Sequence, residues 1–235
     1  MKERQGYGQF CPIARASEIL ATRWTPLILR ELHFGSTRYG DLRRGLPRIS
    51  SAMLAQRLKE LEQAGIVTVA RAEGAGPAYG LSEAGAALFP VLEAMGRWAQ
   101  AHARADMTKD DNLDPDLLMW NIRRRANCGH VPAGGHFVAM FQFLGVPVPR
   151  SRFWLLFTGD GVEICLRDPG HEVGLQVTAH IRTMTRIWLG HLPLDQAISS
   201  RDLLLEGSRQ TIREFSDWFA LSALADSCDA DGPRS

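Results

Sequence analysis

The chain has 235 residues, of which 45% are hydrophobic, so it is long enough for one or two domains with buried cores. Its formal charge of +1 hides an asymmetry: residues 1–104 carry fourteen Lys and Arg against nine Asp and Glu, whereas the remainder carries thirteen against seventeen. A basic first part followed by an acidic second part predicts that only the first part meets a polyanion.

The four cysteines lie far apart in the sequence, at Cys11, Cys128, Cys165 and Cys228. No two of them have the C-x-x-C spacing, so the sequence predicts neither a zinc site nor a thioredoxin-like motif, and the thiols are expected to stay reduced. Residues 1–6 are not followed by an apolar segment, and no apolar run approaches the roughly 20 residues of a membrane helix. We therefore expect a cytoplasmic protein without a signal peptide, membrane partner, cofactor or metal.

Three helices are predicted at the start of the chain. Apolar residues at helical spacing indicate the first from Cys11 to Ala21. The second spans 25–32, where Thr25 is suited to cap the helix and Pro26 to occupy its first position. The third is short and spans 38–44, and residues 46–48 form a turn after it.

The stretch from 49 to 61 is predicted to be the amphipathic helix around which the first part of the chain is organised. Ser50 is suited to cap it and Gly65 to end it. Its apolar stripe consists of three leucines at i, i+4 and i+7: Leu54, Leu58 and Leu61. Two short helices joined by a tight turn have the outline of a helix-turn-helix.

The opposite side of this helix carries Ala52, Gln56 and Lys59, which are small, polar and basic. Such a face fits a DNA major groove, where Gln pairs with adenine and Lys with guanine or phosphate. An ordinary solvated helix face has the same composition, so the pattern of this helix alone leaves both interpretations open.

Residues 66–71 and 78–81 read as two strands of a hairpin, which is typical of a wing. The glycines near its tip lack the strand, loop and helix context of a phosphate loop. Ser82 is then expected to cap a long helix, in which Pro90 would produce a kink unless the lost hydrogen bond is tolerated. The apolar side of this helix is either a dimer seam or the closure of the domain core, and it consists of Leu88, Val91, Leu92, Met95 and Trp98.

The second part of the chain is predicted to begin with an acidic linker at 105–116 and a helix at 117–125. Four strands are expected to form an antiparallel meander, followed by two helices, a fifth strand and a last helix. The predicted strands span 137–144, 153–158, 162–167, 173–178 and 203–207, and the helices 181–189, 194–199 and 208–219. Residues 226–235 are expected to be a disordered tail.

Taken together, the motifs of residues 8–103 resemble the HxlR-type winged helix-turn-helix regulators in order and spacing. The chain departs from the family at Ala21-Thr22, where glycine is usual, and at Tyr39, where Phe is usual. The matching segments are Cys11-Pro12-Ile13, Arg23-Trp24-Thr25, Leu27-Ile28-Leu29-Arg30-Glu31-Leu32, Arg38-Tyr39-Gly40-Asp41-Leu42, Ile49-Ser50, Met53-Leu54, Arg57-Leu58-Lys59-Glu60-Leu61, Tyr79-Gly80-Leu81-Ser82-Glu83-Ala84-Gly85, Pro90-Val91-Leu92 and Trp98. The resemblance implies a homodimer that represses or activates transcription from a palindromic site on double-stranded DNA.

The resemblance also implies roles for individual residues. The residues expected to face the bases are Ser51, Ala52, Gln56 and Lys59, next to the capping Ser50. Those expected to position phosphates or brace the helix are Arg38, Arg43, Arg44, Arg57 and Arg71, and Arg57 lies closer to the leucine stripe, which favours bracing. Cys11 matches a cysteine that some members use as a redox or electrophile sensor. The alternative is a small buried residue that packs the first helix against the partner.

Residues 113–222 resemble, less specifically, the sterol-carrier-protein-like fold, through the order of elements, Gly190 and the strand at 203–207. That fold encloses apolar molecules in a tunnel. The side chains expected to line a pocket are Phe137, Phe141, Phe157, Met184 and Trp188, for which plain core packing is the alternative.

The expected fold is therefore α+β, with a winged helix-turn-helix domain at 1–104, a linker at 105–116 and a sterol-carrier-like domain at 117–225 built on a mostly antiparallel five-stranded sheet. The expected function is a DNA-binding regulator that an apolar effector controls. A carrier of lipids or apolar metabolites, whose winged helix mainly dimerises, is the alternative. The sequence has no G-x-S-x-G, H-E-x-x-H or phosphate-loop motif, and therefore no enzyme is expected.

Overall fold

The computed structural model describes residues 6–71, 74, 76–127, 129, 131 and 135–225. The chain divides into two units, here called the N-terminal unit, which ends at Ala94, and the C-terminal unit, which begins at Met95. The boundary between the two units lies inside a continuous helix, Phe89–His102. Each unit is described by itself.

The N-terminal unit contains the expected helix-turn-helix and wing. Strands β1 and β2 pair antiparallel, in a register from Val67 opposite Leu81 to Ala70 opposite Ala78. The elements are α1 (Pro12–Leu20), α2 (Thr25–His33), α3 (Tyr39–Gly45), α4 (Ser51–Gln63), β1 (Val67–Ala70), β2 (Ala78–Leu81), α5 (Glu83–Ala86) and the start of α6 (Phe89–His102).

The predicted leucine stripe is buried, as the period of the sequence requires. Leu54, Leu58 and Leu61 are 0%, 2% and 4% exposed. They pack with apolar side chains of α2, α3 and β1 in one core. This core fixes one face of α4 and leaves the opposite face outward.

Two predictions about helix ends are wrong. Thr25 does not cap α2, because the residue before the helix is Trp24 in a left-handed conformation (φ +77°), and Thr25 is already helical. Ser82 caps only the short helix α5, where its Oγ accepts from the backbone N of Gly85 at 3.0 Å. The chain then starts α6 at Phe89, which places Pro90 in a first turn, where its missing N–H removes no helical hydrogen bond.

The C-terminal unit combines a five-stranded sheet with several helices. Residues 105–116, where a linker was expected, include the end of α7 and a 3-10 turn at Asp110–Asn112. The expected tail at 226–235 lies outside the described residues. The elements are α7 (Arg104–Met107), α8 (Pro115–Arg125), β3 (His136–Leu144), β4 (Arg152–Thr158), β5 (Gly161–Cys165), β6 (Leu175–His180), α9 (Ile181–Trp188), α10 (Leu194–Ser199), β7 (Leu203–Gly207) and α11 (Arg209–Trp218).

In the described part of the chain, the larger sheet has the strand order β5-β4-β3-β6-β7. The predicted antiparallel meander is wrong at one place, since β6 pairs parallel to β3, from Ala139 opposite Leu175 to Leu144 opposite His180. The hairpin of β4 and β5 occupies one side of β3. The chain after β5 must therefore cross over β4 and β3 before β6 can pair with the free side of β3. The sheet is therefore mixed, and the α+β class stands.

One face of this sheet is covered by helices. Alternate residues of β3 and β4, such as Phe141, Phe143 and Phe153, belong to a core shared with α8, α9 and α11. The side chains predicted to line a pocket lie in this region. Phe141, Phe157 and Met184 are fully buried, Trp188 is nearly so, and Phe137 packs half-buried against the same core.

Candidate nucleic-acid interface

Helix α4 is defined at both ends by local chemistry. The Oγ of Ser50 accepts from the backbone N of Met53 at 3.2 Å, which satisfies a donor of the first turn. Gly65 follows the helix with φ +71°, a left-handed conformation that glycine adopts without strain. Between these ends, Ser51, Ala52 and the other predicted base-facing residues, Gln56 and Lys59, are exposed. The face proposed to read bases is therefore accessible over its whole length.

Tyr39 connects α3 to the start of α4. Its hydroxyl donates to the backbone O of Ser51 at 2.8 Å, across eleven intervening residues. Burial raises the pKa of the neighbouring Tyr79, and the nearby Tyr39 phenol adds to the effect. Tyr39 stands where Phe is usual in the family, and its hydroxyl is the group that Phe lacks. In the structure this hydroxyl makes the hydrogen bond to Ser51.

Arg57 of α4 makes contacts within the N-terminal unit. Its Nε donates to the backbone O of Arg23 at 3.3 Å, and its guanidinium contacts the Glu60 carboxylate. Its side chain is only 12% exposed. Glu60 also accepts from Nε2 of Gln56, at 3.0 Å from its Oε1. Sequence reasoning missed Glu60, although its i, i+3 and i, i+4 spacing to these two residues was a readable signal.

Arg38 and Arg71 lie at the wing. Arg38 donates to the backbone O of Gly76 and forms an isolated β-bridge with Ala78, which attaches the hairpin to the start of α3. Arg71 is exposed, and its guanidinium lies 3.8 Å from the Glu62 carboxylate. Arg38 thus has a structural contact, whereas Arg71 keeps most of its side chain in solvent.

Arg43 and Arg44 lie exposed in the last turn of α3. The guanidinium of Arg44 lies 3.4 Å from the Oδ1 of Asp41, one turn earlier in the helix. Because this ion pair is exposed to solvent, it contributes little to stability. The two guanidinium groups add positive charge just before the turn that leads into α4.

A buried carboxylate joins α2 to the end of α3. Glu31 is fully buried and accepts from the Oγ of Ser36 at 3.1 Å and from Arg30 at 2.9 Å. A Cβ at Gly45 would come within 1.9 Å of this carboxylate, so only glycine fits there. Arg30 also donates to the backbone O of Gly45 at 3.3 Å. This network fixes the point from which the turn to α4 departs, and sequence reasoning did not find it.

Comparison with known proteins concerns this same part of the chain. The family model described as HxlR-like helix-turn-helix matches residues 19–107. The uncharacterised HTH-type transcriptional regulator YvaP of Bacillus subtilis is 37% identical over 99 residues, which are 39% of this chain and 87% of that protein. The HTH-type transcriptional regulator YodB of the same organism is 40% identical over 92 residues, 38% of this chain and 82% of YodB. The chain belongs to the HxlR-like helix-turn-helix family. These relatives are transcriptional regulators and not enzymes, which makes this chain a DNA-binding transcriptional regulator.

The solved structure of quinone-bound YodB from B. subtilis is 40% identical and covers 39% of this chain and 98% of that one, with a TM-score of 0.34. Within the part of the chain that the structure describes, no helix has the length and apolar character to cross a membrane. Over the same residues, His, Cys, Asp and Glu form no group of three or more that could hold a metal ion.

The cysteines differ in their surroundings. Cys11 is half-buried immediately before α1, between the exposed side chains of Phe10 and Ile13. Cys165 is half-buried on β5, where burial and then the Glu163 carboxylate raise the pKa of its thiol. A raised pKa disfavours the thiolate, so Cys165 is the less reactive kind of site. Cys128 and Cys228 lie outside the described residues.

Helix α6 exposes an apolar stripe. Val91, Met95 and Trp98 follow one another at i, i+4 and i+7, and they are 46%, 49% and 63% exposed. Of the five residues predicted on this stripe, Leu88 and Leu92 pack against the core of the N-terminal unit, so the predicted closure of the core holds for these two and not for the three exposed side chains. Large side chains near the start of the chain, such as Phe10 and Ile13, are exposed as well.

The C-terminal unit contains a cavity of about 560 Å³ near the start of β3, where the His136 and His171 rings lie with centroids 4.1 Å apart. A second cavity of about 250 Å³ lies beside Arg150 and Ile181. Neither is lined by any of the five residues predicted to form an apolar pocket. All five side chains lie in or against the core of the C-terminal unit.

Proposed function

We propose that this HxlR-like chain is a homodimeric regulator that places α4 in the major groove of double-stranded DNA and lays its wing along the sugar-phosphate backbone. The observation that carries this proposal is the division of α4 into two faces. One face is buried by Leu54, Leu58 and Leu61, while the opposite face exposes Ala52, Gln56 and Lys59. A helix fixed by its core and capped at both ends presents its outer side chains in a defined register.

The basic residues divide into two groups in this proposal. Arg43, Arg44 and Arg71 are exposed and are proposed to contact phosphates, together with Lys59 where it does not reach guanine. Arg38 is proposed to hold the wing in place, because its guanidinium donates to the backbone O of Gly76. Arg57 is proposed to hold α4 in place, because its guanidinium contacts the backbone O of Arg23 and the Glu60 carboxylate. Phosphate contacts by several cations make the affinity fall steeply with salt concentration.

The homodimer is proposed to form through the exposed stripe of α6, together with the apolar side chains that precede α1. Val91, Met95 and Trp98 form an exposed apolar strip along one side of α6, and an exposed strip of this kind marks an interaction site. Two identical strips related by a twofold axis would space two copies of α4 along the DNA. Repression follows from this arrangement if the bound dimer excludes other proteins from the operator.

Two inputs are proposed for the regulator. Cys11 is one: the relative YodB has been solved with a bound quinone, and Cys11 is half-buried and reachable at the start of α1. An effector of the C-terminal unit is the other. An apolar effector and the sterol-carrier-like fold stay predictions, because the five side chains assigned to its pocket are core residues. A titration with cis-parinaric acid, a fluorescent fatty acid, tests apolar binding directly.

The experiment that tests the regulator is fluorescence anisotropy of the full chain with DNA from its own upstream region and with random DNA, at several salt concentrations. We expect tighter binding to the upstream fragment, with an affinity that falls as salt increases. Gln56→Ala should lose discrimination between the two fragments, whereas Gln63→Ala, exposed at the end of the same helix, should keep it. Equal weak binding to both fragments by the unaltered protein would leave only a basic surface and would contradict the proposal.

A further inference from the structure

We propose that Glu60 is a positioning residue, which orients the side chain of Gln56 so that its amide reads an adenine in the operator. This inference rests on the proposed DNA-binding function. It adds that the base pair contacted by Gln56 is an A·T pair. Glu60 lies one turn after Gln56 on α4, and its Oε1 is 3.0 Å from Nε2 of Gln56.

The carboxylate determines which end of the Gln56 amide faces it. An ionised carboxylate only accepts hydrogen bonds, so the NH₂ end of Gln56 must point towards Glu60 and its carbonyl Oε1 must point away. The bond uses one of the two amide hydrogens. Gln56 therefore keeps one N–H donor and one carbonyl acceptor for another partner, and its side chain is exposed.

This remaining pair matches adenine. In the major groove, adenine offers an acceptor at N7 and a donor at N6, and Gln binds both when its amide presents one donor and one acceptor side by side. Guanine offers two acceptors at N7 and O6, which an amide held in this way cannot satisfy. The orientation set by Glu60 thus favours an A·T pair over a G·C pair at the position that Gln56 reaches.

Glu60 is itself held in place. Its second carboxylate oxygen contacts the guanidinium of Arg57, and the Nε of Arg57 donates to the backbone O of Arg23 at 3.3 Å, between α1 and α2. The contacts run from a backbone carbonyl between α1 and α2 to the amide proposed to read the base. A side chain that is oriented before binding loses less freedom when the DNA arrives.

The charge of Glu60 gives the inference a distinctive signature. A carboxylate on the DNA-reading helix repels phosphates, so it weakens binding to every sequence. Removing it should therefore strengthen binding to random DNA while reducing discrimination between bases. A residue that only stabilised α4 would weaken both when removed.

The test uses the full chain and the tightest-binding upstream duplex, in which each A·T pair is replaced in turn by G·C. For the unaltered protein, we expect one replacement in each half-site to cost about tenfold or more in affinity through Gln56, in line with the discrimination of a bidentate pair. Glu60→Ala should reduce that ratio severalfold and tighten binding to random DNA.

Two variants separate orientation from charge. Glu60→Gln still offers a carbonyl acceptor to Gln56 without the charge, so it should tighten random binding yet keep most of the discrimination. Glu62→Ala removes the same charge from the same helix but leaves Gln56 untouched, and it should keep the ratio. If Glu60→Ala retains the full ratio at every A·T pair, the inference is wrong. If the unaltered protein does not prefer the upstream duplex, the DNA-binding proposal itself fails.

Discussion

The two units of the chain differ in where their informative residues lie. In the N-terminal unit a small aliphatic core supports an outer surface of Gln, Lys and Arg, and this surface carries the functional assignment. In the C-terminal unit, aromatic residues that the sequence assigned to a pocket are packed in the core, and the Phe157 ring lies 4.9 Å from that of Trp218. The apolar periods of α4 and of the strands therefore locate a core in each unit, and the polar side of α4 distinguishes the candidate DNA-reading surface.

The largest expected effect tests whether these aromatic residues are core. Phe141 is fully buried, so Phe141→Ala should lower the free energy of unfolding by about 3–5 kcal/mol, through lost burial and the cavity left behind. Urea denaturation of the full chain, followed by tryptophan fluorescence, measures this change. Leu204→Ala, on a half-exposed side chain of β7, is the matched control and should cost less than about 1 kcal/mol. A small effect at Phe141 would instead support a deformable apolar pocket.

The next effect concerns the exposed stripe of α6. Trp98→Glu places a charge in the proposed dimer seam, and loss of a central aromatic contact should cost about 2–4 kcal/mol of association free energy. Sedimentation velocity over a concentration series should show the variant as a monomer where the unaltered chain is a dimer. Leu144→Glu, which changes another exposed apolar residue, should leave the dimer intact. A dimer that survives Trp98→Glu would place the seam elsewhere.

The elements of the N-terminal unit could be predicted because their signals are local. Ser50, Gly65 and the leucine period each act within one or two turns of α4, and the structure places them as expected. The network of Glu31 with Gly45 could not be predicted in this way, because it joins residues fourteen positions apart through a backbone that only the fold brings together. The same holds for the hydrogen bond from Tyr39 to Ser51.

In the C-terminal unit the strands were predicted at nearly the right positions, but their order was not. The alternation of apolar and polar residues within a strand predicts which face of the strand is buried. It does not predict which other strand pairs with it. Because β4 occupies one side of β3, β6 pairs on the other side, where it runs parallel to β3. Core and cavity linings have the same composition, so composition alone does not decide which role Phe137, Phe141, Phe157, Met184 and Trp188 have.

The smallest expected effect compares a histidine from each unit. Burial, and then the charges of Arg104 and Arg186, lower the pKa of His191 to about 4, while its Nε2 lies 2.6 Å from Oε1 of the buried Gln100. The amide Nε2 of Gln100 donates to the backbone O of Leu189. Its Oε1 is therefore the end of the amide that faces His191, and it accepts a hydrogen bond from Nε2–H of the neutral imidazole. His33, in the N-terminal unit, also has a pKa lowered by burial, an effect that Glu93 opposes.

The unfolded chain binds a proton at His191 below pH 6.5, the ordinary value, whereas the folded chain does so only near pH 4. Stability from this group is therefore complete above pH 6.5, falls as the pH decreases towards 4, and changes no further below it. His191→Asn should flatten the dependence of the urea midpoint on pH between 7 and 5, and His33→Asn should flatten it less. Equal slopes for both variants and the unaltered chain would mean that neither imidazole is kept neutral by its surroundings, and that the contacts of Gln100 tolerate a charged ring.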